Sequence, residues 1–330
     1  MSSDTVRSYL EQTLHYFDRP HTGQPTADLV GPWAWRGADL AADPHAWCRP
    51  FTDVELAELG VASQRVVDSG APLETLTKDD VPLGPAEASV AAWRTELADG
   101  RGFLLLRGAP VEAWGPQRSE AAFWILGLHL GLPGCQDVDG RLLGHVTDEG
   151  GADAGTRSYR TNRNIRYHCD AADVVGLLCL ATASAGGLSR LASSVTVFNV
   201  LRAEAPDLAA RFFEPFELDT RSDDVGSTTV PIEPCRFDGV RLRTFFHADY
   251  FGSADRHPGV TLTDLDRAAL AAYEEIAERP EIRLDMELAV GDVQLVSNHS
   301  TIHARTAYDD DGGTDGRRHL LRLWLSLDRS

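Results

Sequence analysis

His168 and Asp170 stand two residues apart in Tyr167-His168-Cys169-Asp170, and a further histidine, His303, follows far downstream in Asn298-His299-Ser300-Thr301-Ile302-His303. Two neutral imidazoles and one carboxylate suit Fe(II), and they leave coordination positions open for an oxidant and a substrate. Residues two apart on an extended strand project to the same face, so this spacing lets His168 and Asp170 share one ion and turns Cys169 toward the opposite side. A His-x-Asp triplet alone is common in proteins. The weight therefore falls on what accompanies it.

His303 is delivered by Val290-Gly291-Asp292-Val293-Gln294-Leu295, which reads as a turn and a short apolar strand. Fifteen residues beyond His303 comes Arg318, followed by Leu320-Leu321-Arg322-Leu323-Trp324-Leu325, a buried strand carrying a second arginine. Arg322 lies at an even offset from Arg318, so the two share a face if one strand holds both. His299 precedes His303 by four, a metal-binding spacing on a helix, but the strand before it argues against a helix and leaves it unassigned.

Taken in this order, these motifs resemble the taurine/2-oxoglutarate (TauD/TfdA-like) family of Fe(II)-dependent dioxygenases, over residues 90–328. The resemblance implies a double-stranded β-helix (jelly roll, cupin-like) core, with Fe(II), 2-oxoglutarate as co-substrate and O2. It implies His168, Asp170 and His303 as metal ligands and catalytic centre, and Arg318 as the partner of the distal 2-oxoglutarate carboxylate, a group that a planar guanidinium captures in bidentate fashion. Ser189 falls where the family commonly places a threonine hydroxyl beside that carboxylate. Arg322 either helps to hold the co-substrate or meets an acidic group of the substrate. Asn164 matches a substrate-pocket position, and His145 and Gln136 are further pocket candidates. His247, in Phe245-Phe246-His247-Ala248-Asp249-Tyr250, fits aromatic packing better than ligand contact.

The elements around these residues are mainly strands with helical insertions, rather than an alternating βαβ pattern. Helical spacing covers residues 52–62, 85–99, 119–130, 195–213 and 263–278, the last with an N-cap at Thr261 or Thr263. Buried strands are expected at 103–107, 174–180 and 191–194, and a hairpin with an Asp-Gly turn at 236–241. Residues 134–164 are polar and glycine-bearing, which suggests a lid over the site. Residues 1–85 read as an irregular and helical extension packed on the core, and 86–330 as the dioxygenase domain.

With 330 residues, 43% of them hydrophobic, the chain can bury a large core. A net charge of −19 argues against nucleic acid or an anionic membrane surface as partner, since either would repel it. Five scattered cysteines (Cys48, Cys135, Cys169, Cys179, Cys235) suggest neither a disulfide framework nor a zinc ribbon. Residues 1–20 lack an apolar leader and no run of eighteen apolar residues occurs, so a soluble cytoplasmic enzyme is expected. Its partner is a small molecule, and self-association as a homo-oligomer is left open.

The expected reaction is oxidation, by default hydroxylation, of an unactivated C–H bond in a small carboxylate or amino-acid-like substrate, with release of succinate and CO2. A sulfonate or aryloxy acid is the alternative substrate. A non-oxidative, metal-binding cupin-like isomerase, lyase or binding protein is the alternative class, although it would have no use for Arg318 and Ser189.

Overall fold

Strands whose residues are buried on both faces stack into two opposed sheets. The computed structural model describes residues 6–148, 161–220, 229–310 and 317–327. The larger sheet has seven strands, in the order Cys48–Pro50, Phe103–Arg107, Val293–Ser297, Val174–Ala181, His319–Ser326 and Leu132–Gly134, with Leu143–Val146 also paired to His319–Ser326. The smaller runs Arg283–Met286, Ser189–Ser193, Thr301–Arg305, Ile165–His168. All pairings in the two sheets are antiparallel except that of Cys48–Pro50 with Phe103–Arg107.

Alternation decides what each face does. Phe103, Val175, Val296 and Trp324 from the larger sheet meet Leu191, Leu284 and Met286 from the smaller one in an apolar layer between the two. The alternate residues Leu104, Leu106, Val174, Leu178, Leu321 and Leu323 turn outward onto the helices Asp53–Ser69, Glu87–Ala98 and Val111–Leu130. On the far side, Tyr167, Ala192, Ile302 and Ala304 pack against Ser194–Glu204, Pro206–Arg211 and Asp264–Ala277. The molecule is thus a jelly roll between two helical layers. Each fully buried Leu or Phe in it contributes ~1.5–3 kcal/mol relative to exposure.

The N-terminal residues are built into this core. The helix Tyr9–Phe17 starts with a Ser8/Glu11 capping box, and its fully buried Gln12 accepts a hydrogen bond from Ser326 Oγ at 2.8 Å. Trp35 and Trp47 give their indole N–H groups to the carbonyls of Arg101 and Leu40, both at 2.9 Å, which explains how an irregular stretch can be ordered.

Several element boundaries differ from expectation for local reasons. The helical run after residue 194 breaks at Ala205, because Pro206 has no N–H to continue the ladder and instead opens the next helix. The helix before Leu130 reaches back to Val111 across a break at Gly115, whose φ of 71° is open to glycine at little cost. The hairpin strands are Cys235–Phe237 and Leu242–Thr244, with Asp238 Oδ1 accepting the Val240 and Arg241 N–H groups in the turn. Thr263, rather than Thr261, caps its helix. The suggested lid is partly sheet: Leu143–Val146 pairs with His319–Ser326, and residues 149–160 lie outside the described residues.

Candidate active site

His168 closes the strand Ile165–His168 and is the register partner of His303 on Thr301–Arg305. Their ring centroids are 4.2 Å apart. Asp170 lies past the end of its strand rather than on it, in a turn held from two sides. Cys169 donates its N–H to Phe246 O at 2.6 Å, and Asp170 donates its own to Asn298 Oδ1 at 3.0 Å. Asn298, fully buried, gives its side-chain N–H to Ala172 O at 2.9 Å and its backbone N–H to Asp173 O at 3.0 Å. One asparagine thereby shapes the whole turn. Cys169 points into the core as alternation requires.

One ligand atom from each of His168, Asp170 and His303 lies within 4.8 Å of the other two, and His303 Nε2 is 3.7 Å from Asp170 Oδ2. His168 Nδ1 faces Arg166 O at 2.9 Å; donation there leaves Nε2 with its lone pair toward the cluster. Burial pushes His303 down to about 3, with His168 and Arg322 adding to the effect and Asp170 opposing it, so the imidazole is neutral. Burial by itself would raise the Asp170 carboxyl, but Arg322 foremost, then His303 and His168, more than offset it and keep the group ionised below its ordinary range. A neutral imidazole and an ionised carboxylate are the states in which these side chains bind Fe(II), so the donor set fits that ion.

Around the cluster, Arg322 is 8% exposed and faces between the sheets, its Nε donating to Gln136 Oε1 at 2.6 Å while Gln136 Nε2 donates to Arg322 O at 2.8 Å. Arg318 is 6% exposed, sits one residue ahead of the strand His319–Ser326, and has its guanidinium carbon 5.1 Å from the Tyr308 ring centre. The register shifts between His319 and Leu320, so simple alternation does not relate the two arginines. Ser189 Oγ exchanges hydrogen bonds with Gln294, at 3.1 and 2.9 Å.

The remaining candidates separate. Asn164 is exposed, one residue ahead of the His168 strand. His145 is a correction: it pairs in register with Leu321, which faces the outer helices, and its Nδ1 lies 2.9 Å from His319 Nε2, so its side chain is turned from the metal-ligand face. Gln136 reaches the site indirectly, by holding Arg322. His247 packs among rings: it stacks on Tyr250 at 3.7 Å and lies 5.2 Å from the His168 ring. His299 serves elsewhere, donating from Nε2 to Asp173 Oδ1 at 2.7 Å. Sequence reasoning missed Asn298 and Arg305. The available signal for Arg305 was its place two residues after His303 on a strand.

A jelly roll bearing two histidines and a carboxylate at one cluster has the fold and the donor set that non-haem iron oxygenases use. Residues 69–324 match the family of taurine catabolism dioxygenase TauD and TfdA. The chain is 32% identical to FR-33289 synthase of Streptomyces rubellomurinus over 308 residues, 91% of either chain. It is 25% identical to the taurine hydroxylase-like protein SAT17 of Stachybotrys chartarum, over 93% of this chain and 82% of that one. Among solved structures, an asparagine oxygenase in complex with Fe(II), 2S,3S-3-hydroxyasparagine and succinate superposes with a TM-score of 0.70 at 17% identity, covering 86% of this chain and 94% of the other. The non-heme iron oxygenase OrfP, with Fe and alpha-ketoglutaric acid, gives 0.62 at 15% identity, covering 85% and 94%. The chain belongs to the TauD/TfdA family and is an iron- and 2-oxoglutarate-dependent oxygenase. No described helix is long and apolar enough to cross a membrane.

Proposed function

We propose that this enzyme hydroxylates an unactivated C–H bond of a small amino-acid-like carboxylate, with His168, Asp170 and His303 holding Fe(II). The observation that carries the ligand assignment is the convergence of those three donors within 4.8 Å. When bound, Fe(II) and 2-oxoglutarate supply the oxidising chemistry, with succinate and CO2 as co-products. The chain's own residues bind, orient and exclude water. Arg318, assisted by Ser189, would take the distal carboxylate of 2-oxoglutarate, and the Gln136 amide would hold Arg322 in place to meet the anionic group of the substrate. Asn164 would border the substrate.

Two relations support an amino-acid-like substrate: the buried Arg322 beside the metal ligands, and the hydroxylated amino acid bound by the structurally similar asparagine oxygenase. The five free thiols support a reducing compartment, the cytoplasm. The test is anaerobic Fe(II) binding followed by aerobic succinate release across a panel of amino acids, simple carboxylates and taurine. The expected results are one Fe(II) per chain, substrate-stimulated succinate, and loss of both binding and turnover in His168→Ala, Asp170→Ala and His303→Ala. Full activity in an iron-free His303→Ala protein would overturn the ligand set, and turnover without succinate would return the non-oxidative reading.

A further inference from the structure

Arg305 follows His303 by two on the strand Thr301–Arg305, so it turns to the same inter-sheet face, while Ile302 and Ala304 pack outward into the helical core. Its register partner is Ser189, whose hydroxyl meets Gln294 of the opposite sheet. Arg305 and Arg318 flank a single aromatic ring: their guanidinium carbons lie 4.7 and 5.1 Å from the centre of Tyr308. A Cβ added to Gly187, two residues before Ser189, would come within 3.2 Å of Arg318 Nε. These contacts place Arg305, Tyr308, Arg318 and Ser189 in one corner of the barrel.

Both guanidinium groups in that corner are buried, with Arg305 and Arg318 each 6% exposed, and neither has a carboxylate within salt-bridge distance among the described residues. Arg305 donates through Nη2 to the carbonyls of Thr161 and Arg163, each at 2.6 Å. Its Nε and Nη1, like Nη1 of Arg318, make no hydrogen bond among the described residues. Two buried cations with unsatisfied donors are costly unless an anion completes them.

We propose that Arg305 is a second guanidinium of the 2-oxoglutarate pocket, completing its hydrogen bonds on the distal carboxylate alongside Arg318. Its grip on Thr161 and Arg163 then ties that pocket to the chain leading through Asn164 into the His168 strand. The inference rests on the proposed co-substrate site. It adds a positioning role: the residue that reaches the co-substrate corner also holds the entry to the metal strand.

The test is calorimetric titration of the full-length protein, anaerobic and loaded with Fe(II), using 2-oxoglutarate and 2-oxobutyrate, which keeps the 2-oxo acid but lacks the distal carboxylate. Arg305→Gln and Arg305→Lys are compared with wild type, with thermal melts of the ligand-free proteins as a folding control. Arg305→Gln is expected to weaken 2-oxoglutarate binding by about 10-fold or more while leaving 2-oxobutyrate within about 3-fold, and Arg305→Lys to fall between. Equal loss for both ligands would reduce Arg305 to a structural clamp and overturn the proposal. So would unchanged binding of both. If Arg305→Gln does not fold, the comparison is decided on Arg305→Lys by the same ratio. Absence of 2-oxoglutarate binding in wild type would instead defeat the co-substrate site itself.

Discussion

Arg318 and Ser189 contribute to the same corner with very different strength. Arg318 is a buried cation whose Nη1 makes no hydrogen bond among the described residues, whereas Ser189 already exchanges hydrogen bonds with Gln294. A charge-assisted hydrogen bond is worth about 1.5–3 kcal/mol and a neutral one about 1 kcal/mol. Arg318→Ala should therefore raise the 2-oxoglutarate concentration needed for half-maximal succinate release by about 10-fold to 100-fold, against about 5-fold for Ser189→Ala. Titration of each variant gives the comparison directly. An unchanged requirement in Arg318→Ala would remove that residue from the pocket.

At the scale of elements, the turn after the His168 strand is the least regular part of the site, and Asn298 compensates for the lack of a ladder. It accepts from Asp170 N–H and donates to Ala172 O with no exposure to water. Asn298→Ala strands both groups, and each unsatisfied buried polar group costs about 1–3 kcal/mol. The expected outcome is a loss of about 2 kcal/mol or more in urea unfolding, together with weaker Fe(II) binding, because the carboxylate loses its fixed orientation. Asn298→Asp keeps the acceptor for the Asp170 N–H but sets a second oxygen against Ala172 O in a buried site, so it should recover at most part of the Fe(II) affinity that the alanine variant loses. A variant that is destabilised with unchanged Fe(II) affinity would confine Asn298 to folding.

At the scale of the whole molecule, Asp173 ties together parts of the chain that are far apart in sequence. It meets His15 of the first helix at 2.8 Å, His299 at 2.7 Å and the backbone N–H of Leu327 at 2.8 Å, with Arg19 at 3.7 Å. Burial opposes its charge, but hydrogen bonds from His15 and His299 and the Arg19 cation outweigh it and hold the carboxyl far below its ordinary 3.8. His299 is pushed down to about 3 from an ordinary 6.5, by burial first and the Arg19 charge second. The unfolded chain thus protonates His299 at a pH where the folded chain does not, so stability should decline as pH falls from 6.5 toward about 3. The Asp173 contribution is complete above 3.8 and disappears as pH falls through its lower folded value. Urea midpoints measured across this range should fall steadily on acidification. Asp173→Asn should be less stable at neutral pH and lose less at the acid end, and a parallel curve for the variant would exclude this clasp.

The order of residues along the chain was enough to define the chemistry class and the barrel. His-x-Asp and the arginine spaced after His303 are short-range patterns that carry the family resemblance joining them, and buried runs such as Phe103-Leu104-Leu105-Leu106 mark strands because burial on both faces leaves no polar alternation. What could not be read there depends on which face of a strand looks inward and on contacts across hundreds of residues. His145 and Arg322 lie near each other on paired strands, yet pairing register sends one toward the helices and the other between the sheets. The helix expected over 195–213 breaks before Pro206, because helical periodicity continues through a residue that has no N–H to give. Arg305, Asn298 and Asp173 had no motif of their own. Their importance comes from burial and from partners at Thr161, Asp170 and His15, and only the folded chain brings those partners within hydrogen-bond distance.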